Sequence, residues 1–211
     1  MIYRSCRWAP MEASWEAVGP EDAEELSRFA YPIWVEIYSP LVDGGRERVD
    51  QFYPDWMGPE SVRKHMEEGY RFCYAVYRGE RAGYSAVKAE GDVLDISKFY
   101  FLREFRGFGL ASWAMERILG YGRDRGCSRA ELVVNPFNEH AIRFYRKHGF
   151  AETGRLPENT EGQRPAYLLV MGRSLRCLYA AGAEMQRVMR HNGAGSPLAP
   201  PFPSFPRVFR A

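Results

Sequence analysis

Residues 94–125, LDISKFYFLREFRGFGLASWAMERILGYGRDR, decide how the rest of this chain is read. Their first part has a strand pattern, with apolar Leu94, Ile96, Phe99 and Phe101 set among polar Asp95, Ser97 and Lys98. A turn follows at Arg103-Glu104-Phe105, and then Arg106-Gly107-Phe108-Gly109-Leu110-Ala111. From there Leu110, Trp113, Ala114, Arg117, Ile118 and Tyr121 recur at the three-and-four spacing of an amphipathic helix. The order is strand, glycine-bearing turn, helix.

That order suits a pyrophosphate. The first turn of a helix carries backbone N–H groups without intrahelical partners, and the helix dipole adds partial positive charge at the same end. Gly107 and Gly109 put no Cβ between backbone and phosphates, Arg106 offers charge, and Ala111 is small where helix and ligand approach. A P-loop would end in Gly-Lys-Ser/Thr, where Leu110-Ala111 stand. A dinucleotide fingerprint would need a third glycine at Ser112.

Arg106-x-x-Gly109-x-Ala111 resembles the Q/R-x-x-G-x-G/A signature of the GNAT superfamily of N-acetyltransferases. A second stretch, 135–150 (NPFNEHAIRFYRKHGF), is similar to the family's other signature: a helix opened by Asn138, bearing Ala141, Phe144 and Tyr145, and stopped by Gly149-Phe150. The two stand in family order and spacing, and the resemblance covers residues 11–174. It implies an α/β (α+β) fold with a mixed central sheet of six to seven strands, splayed where the cofactor enters. Acetyl-CoA is the co-substrate it implies, with no metal.

The resemblance also assigns roles. The turn Arg106, Gly107, Phe108, Gly109, Leu110, Ala111 and Ser112 would hold the cofactor, with backbone groups of Phe99, Tyr100 and Phe101 pairing its pantetheine arm. Asn138 would bond that arm, or cap its helix, or both. Tyr145 matches the family's general acid, whose phenol protonates the leaving thiolate. Many members carry a strand-four glutamate where Ser97 falls here. Asp95, two residues earlier, is the candidate base, with His65, His140 and His148 alternatives by chemistry alone.

Around this centre, 11–18 reads as a first strand and Gly19-Pro20-Glu21-Asp22 opens a helix that Pro32 kinks or breaks. Further helices are expected over 46–52 and 59–68. Strands are expected over 71–77, 82–89, 130–134 and 164–174. Residues 29–57 are rich in aromatics: packing for the most part, with Trp34 and Tyr38 as candidate walls of an acceptor pocket. The front helices and the SKFYF strand are loosely similar to bacterial polyamine acetyltransferases, and Glu36, Asp43, Asp50 and Asp55 would draw a polycation. A small amine, polyamine favoured, is therefore the expected acceptor. A peptide N-terminus is the runner-up, and a non-catalytic acyl-CoA sensor is the rival of another class.

At 211 residues with 45% hydrophobic side chains, the chain suits one globular domain, 11–174, preceded by an arm, 1–10. Residues 175–211, with a helical pattern over 180–190 and a proline-rich end, read as an extension. The net charge of +2 leaves no nucleic-acid footprint, and the balance turns slightly acidic once the tail's five Arg and one Glu are set aside. Cys6, Cys73, Cys127 and Cys177 lack metal spacing and read as reduced thiols. No apolar run spans a membrane, and Arg4 and Arg7 lack the apolar core of a secretory signal. A cytoplasmic enzyme is expected, with a homodimer left open.

Overall fold

The computed structural model describes residues 12–157 and 167–176. The arm 1–10, the 180–190 helix and the proline-rich end therefore lie outside the described residues. Seven strands form one sheet in the order β1-β2-β3-β4-β5-β7-β6. They are β1 (Ala13–Val18), β2 (Arg71–Tyr77), β3 (Glu80–Glu90), β4 (Val93–Phe101), β5 (Arg129–Val134), β6 (Ala151–Pro157) and β7 (Tyr167–Ser174). Helices α1 (Ala23–Tyr38), α2 (Gly45–Met57) and α3 (Pro59–Glu67) precede β2. Helix α4 (Leu110–Asp124) joins β4 to β5, and α5 (Glu139–Lys147) joins β5 to β6.

Two layers of side chains cover the sheet. Leu26, Ile33 and Trp34 of α1, Val49 and Met57 of α2 and Val62 of α3 pack with Phe72, Tyr74, Tyr84 and Ala86 on one face. On the other, Met115, Ile118 and Leu119 of α4 and Ile142 and Tyr145 of α5 pack with Cys73, Val87, Leu94, Ile96 and Leu132. Contact between α4 and the sheet is close: a Cβ at Gly122 would come within 2.7 Å of Leu94. The buried Leu175 belongs to the same core, one residue past the boundary drawn from sequence.

Pro32 neither breaks nor ends α1, which runs unbroken for 16 residues. Helix α2 extends beyond the expected 46–52 and carries Pro54 within it. Strand β6 was not legible: six of its seven residues are exposed, so AETGRLP has no apolar alternation to betray an edge strand.

Strand β4 decides the layout. It pairs antiparallel with β3 along its whole length, with one irregularity: Lys98 faces Ala86 while Ile96 faces Val87. Ser97 is the extra residue of a bulge, which re-aims the side chains after it. Leu94 and Ile96 before it and Phe99 and Phe101 after it all face α4 and α5. Asp95, Lys98 and Tyr100 meet partners on the α1–α3 side. The apolar spacing 94, 96, 99, 101 records that skip.

Candidate active site

Beside the bulge the sheet opens. β4 and β5 run parallel, yet pair only from Val93↔Arg129 to Asp95↔Glu131. β4 continues to Phe101 and β5 to Val134, so the strands part and leave the facing edge of β4 without a strand partner. In a sheet such an edge presents unpaired N–H and C=O groups. Phe99 and Phe101 turn their rings into the core, Phe99 stacking on Phe144 at 5.7 Å, so only their backbone is offered to the opening. Tyr100 points the other way and stacks on Tyr84 at 5.4 Å.

The glycine turn closes the end of this opening. Gly107 and Gly109 adopt φ of +89° and +81°, conformations costly for other residues, and Gly109 is the N-cap of the 15-residue α4. A Cβ at Gly107 would meet nothing within 4 Å, so the turn leaves room for a ligand against its backbone. Leu110 is buried in the core, whereas Phe108 is 60% exposed and stacks on Tyr77. Ala111 packs at the edge of the α4 core, and Ser112 Oγ lies 3.1 Å from His148 Nε2.

Arg106 is not a free charge. Its guanidinium pairs with Glu36 of α1 at 2.7 Å and donates to the Phe101 carbonyl at 2.9 and 3.2 Å. It ties α1 to the turn and uses one of the backbone acceptors expected to serve the pantetheine arm. Glu36 is correspondingly occupied. Asp50 likewise accepts from the Tyr31 hydroxyl at 2.6 Å and pairs with Arg46, so two of the four acids expected to attract a polycation are engaged locally.

Tyr145 enters from α5, buried in the core. Burial pushes its phenol well above the usual tyrosine range, and the Tyr38 hydroxyl adds to the effect. Tyr38 in turn shares a 2.7 Å hydrogen bond with Tyr100. The structure thus brings Tyr145, Tyr38 and Tyr100 into one electrostatic neighbourhood. Asn138 caps α5, its Oδ1 accepting from Ala141 N–H at 3.1 Å.

Asp95 sits where the β4–β5 pairing ends and accepts a hydrogen bond from the Tyr70 hydroxyl. Burial holds its carboxyl above the usual range, outweighing the lowering by Tyr70 and Lys98. Trp34 is buried, and its N–H donates to the Tyr84 hydroxyl at 2.6 Å. The ring packs within 4.8 Å of Tyr38 and 5.7 Å of Tyr100. The alternative bases disperse: His65 bonds the Ser61 carbonyl, His140 is exposed, and His148 bridges Ser112 and Glu116.

One residue here was read from sequence only as a polar strand position. Lys98 is 3% exposed, its ammonium 5.8 Å from the Trp34 ring and 5.2 Å from Trp56. Burial brings its pKa down to about 8, against a smaller raising effect from Asp95. The skipped spacing between Ile96 and Phe99 was the signal that could have placed it.

A split parallel pair with a glycine-capped helix at its end is what the two sequence signatures imply. The family model described as Acetyltransferase (GNAT) family matches residues 29–150. The chain belongs to the GNAT family. A relative of Mycobacterium tuberculosis, named an uncharacterized N-acetyltransferase, is 35% identical over 135 residues, covering 63% of this chain and 85% of its own. An uncharacterized N-acetyltransferase of Escherichia coli K12 is 28% identical over 95 residues, covering 43% and 57%.

Among solved structures, the PaiA N-acetyltransferase of Thermoplasma acidophilum in complex with coenzyme A superposes with a TM-score of 0.63 at 17% identity, over 78% of this chain and 99% of that one. The ribosomal-protein-S18-alanine N-acetyltransferase of Escherichia coli gives 0.57 at 16% identity, over 82% and 97%. At such identities the likeness speaks for the fold. As a GNAT member the chain is an acetyl-CoA-dependent N-acetyltransferase. Among the described residues, no helix is long and apolar enough to cross a membrane, and no group of His, Cys, Asp or Glu could hold a metal ion.

Proposed function

We propose that this GNAT enzyme acetylates the primary amine of a small molecule at the opening between β4 and β5. The observation that carries this reading is the convergence of three features on that opening. They are the unpaired edge of β4, the glycine-capped start of α4, and the Tyr145 phenol beside Tyr38 and Tyr100. The open space at Gly107 and the free first-turn N–H groups of α4 fit the pyrophosphate of acetyl-CoA, which supplies the activated acetyl thioester when bound.

In this reading backbone groups of Phe99 and Phe101 orient the pantetheine arm, Phe101 with its N–H because its carbonyl serves Arg106. The backbone of Tyr100, expected to share the task, is turned to β3 opposite Tyr84. A β4 N–H polarises the thioester carbonyl. Tyr145, protonated across the physiological range as tyrosines ordinarily are, gives its proton to the departing thiolate. Burial raises its pKa and so makes it a reluctant acid until the thiolate's charge develops beside it. Asp95, its carboxyl held above the usual aspartate range by burial, takes the proton that the acceptor ammonium must lose. Trp34 and Tyr38 form the acceptor side.

A polyamine was the acceptor favoured by the sequence. Its support is the aromatic front layer, and it loses part of its footing because Glu36 and Asp50 are already paired. A peptide N-terminus remains the second reading, since neighbours of this fold include an enzyme named for a ribosomal protein alanine. The test is thiol release from acetyl-CoA with a panel of amino acids, amino-acid amides, spermidine and short N-terminal peptides. Turnover with one amine class is expected. Silence across the panel, with acetyl-CoA still raising the melting temperature, would favour the non-catalytic sensor; silence without that shift would remove the cofactor site as well.

A further inference from the structure

The acceptor side carries a charge that the reaction as described does not use. Lys98 follows the bulge residue Ser97 on the face that also bears Asp95 and Tyr100, and is almost fully buried. Its ammonium lies 5.8 and 5.2 Å from the Trp34 and Trp56 rings. Among the described residues it forms no ion pair within 4.0 Å and no hydrogen bond. Asp95, whose charge acts on it, accepts a hydrogen bond from Tyr70 and reaches Lys98 only through longer-range attraction.

Burying an ammonium is costly unless an anion or hydrogen-bond acceptors replace the water it gives up. Two indole faces offset part of that cost through their quadrupoles, but supply no hydrogen-bond acceptor with a charge. The lowering of the Lys98 pKa reports the same shortfall. Lys98 is therefore complementary to an anion that the protein itself does not provide. Trp34 contacts Lys98, Tyr38 and Tyr100 together, so the cation belongs to the same aromatic cluster as the proposed acceptor side. Trp56, 47% exposed, connects that cluster to solvent.

We propose that Lys98 selects the acceptor: a small primary amine that also carries a carboxylate, bound with the carboxylate on the Lys98 ammonium between Trp34 and Trp56. The inference rests on the acetyl-transfer reading of the same site. It gives the buried cation a partner in the complex and sets the enzyme against polyamines, whose additional ammonium groups would meet a like charge in a poorly solvated place. A neutral lysine acting as the proton acceptor is a different role, and would affect every acceptor alike.

The experiment compares L-amino acids with their matching carboxamides, which differ at the carboxylate alone, in the full-length enzyme and in Lys98→Met. The amide's amine is the more readily neutral of the two, so any preference for the acid must come from the site. Wild-type enzyme is expected to favour the best acid over its amide by about tenfold or more in kcat/KM. In Lys98→Met that ratio should fall to about one, through KM for the acid. Lys98→Gln serves as a second variant if Met disturbs the packing, and an unchanged acetyl-CoA-induced rise in melting temperature reports an intact cofactor site.

Equal use of acid and amide by the wild type overturns the proposal. So does an acid preference that survives in Lys98→Met, a common loss of kcat for both, or spermidine outperforming every acid. Absence of thiol release with any amine, together with no stabilisation by acetyl-CoA, would instead defeat the acetyl-transfer reading on which the inference stands.

Discussion

Burial raises the pKa of both Asp95 and Tyr145, with unlike consequences for one proton balance. The carboxyl becomes a better proton acceptor, whereas the phenol stays protonated but becomes a weaker acid that needs the thiolate's charge beside it to give up its proton. For Asp95 the sign gives a stability test. A carboxyl raised in the fold favours the protonated native state, so its contribution is present below the ordinary aspartate pKa and is lost as pH rises through the raised one. Asp95→Asn should therefore match the wild type in melting temperature at about pH 3–4 and exceed it by pH 7, since the Tyr70 hydroxyl can donate to the amide oxygen too. A gap that does not change with pH would mean the carboxylate is adequately solvated where it stands. Asp95, Asn138 and Tyr145 were named from the sequence, and the structure sets Asp95 where the β4–β5 pairing ends, Asn138 at the cap of α5 and Tyr145 in the core with Tyr38 acting on it. Lys98 was not singled out, because a lysine in a strand pattern ordinarily marks the solvent face.

At the scale of elements, a bulge and two helix starts build the site. The bulge at Ser97 keeps both apolar pairs of β4 on the α4–α5 face while turning Lys98 toward α1 and α2. Sequence alternation read that strand correctly and carried the skip between Ile96 and Phe99, but only the register against β3 shows that the skip is a bulge and which way it turns Lys98. The start of α5 separates two roles of Asn138. Asn138→Ala removes the bond from Ala141 N–H and should cost about 1 kcal/mol, a fall of about 2–4 °C in melting temperature for a chain this size. Asn138→Asp caps equally well and should restore the melting temperature. If KM for acetyl-CoA stays raised in that variant, the side-chain amide also serves the cofactor arm; if KM returns with the melting temperature, Asn138 is a cap alone. Strand β6 escaped the sequence reading for a reason of the same scale: an exposed edge strand has no face to bury, and its register comes entirely from β7.

For the molecule as a whole, one topological choice makes the rest possible. β4 and β5 are the one parallel pair of the sheet among the described residues, and a parallel pair requires a crossover; here that crossover is α4, whose first turn lies at the end of the gap it spans. The family-level layout was readable because both helix starts leave strong local marks, at 106–112 and 138–150. Acceptor chemistry was not, because two of the acids that suggested a polycation are spent on Arg106, Tyr31 and Arg46, pairings that no local sequence pattern reveals. The most direct test of the central claim is the steady-state rate of Tyr145→Phe beside its affinity for acetyl-CoA. Loss of the phenol proton should lower kcat by about a hundredfold or more while acetyl-CoA binds as tightly as before. A variant that turns over at the wild-type rate would contradict the account, and the thiolate would then take its proton from elsewhere.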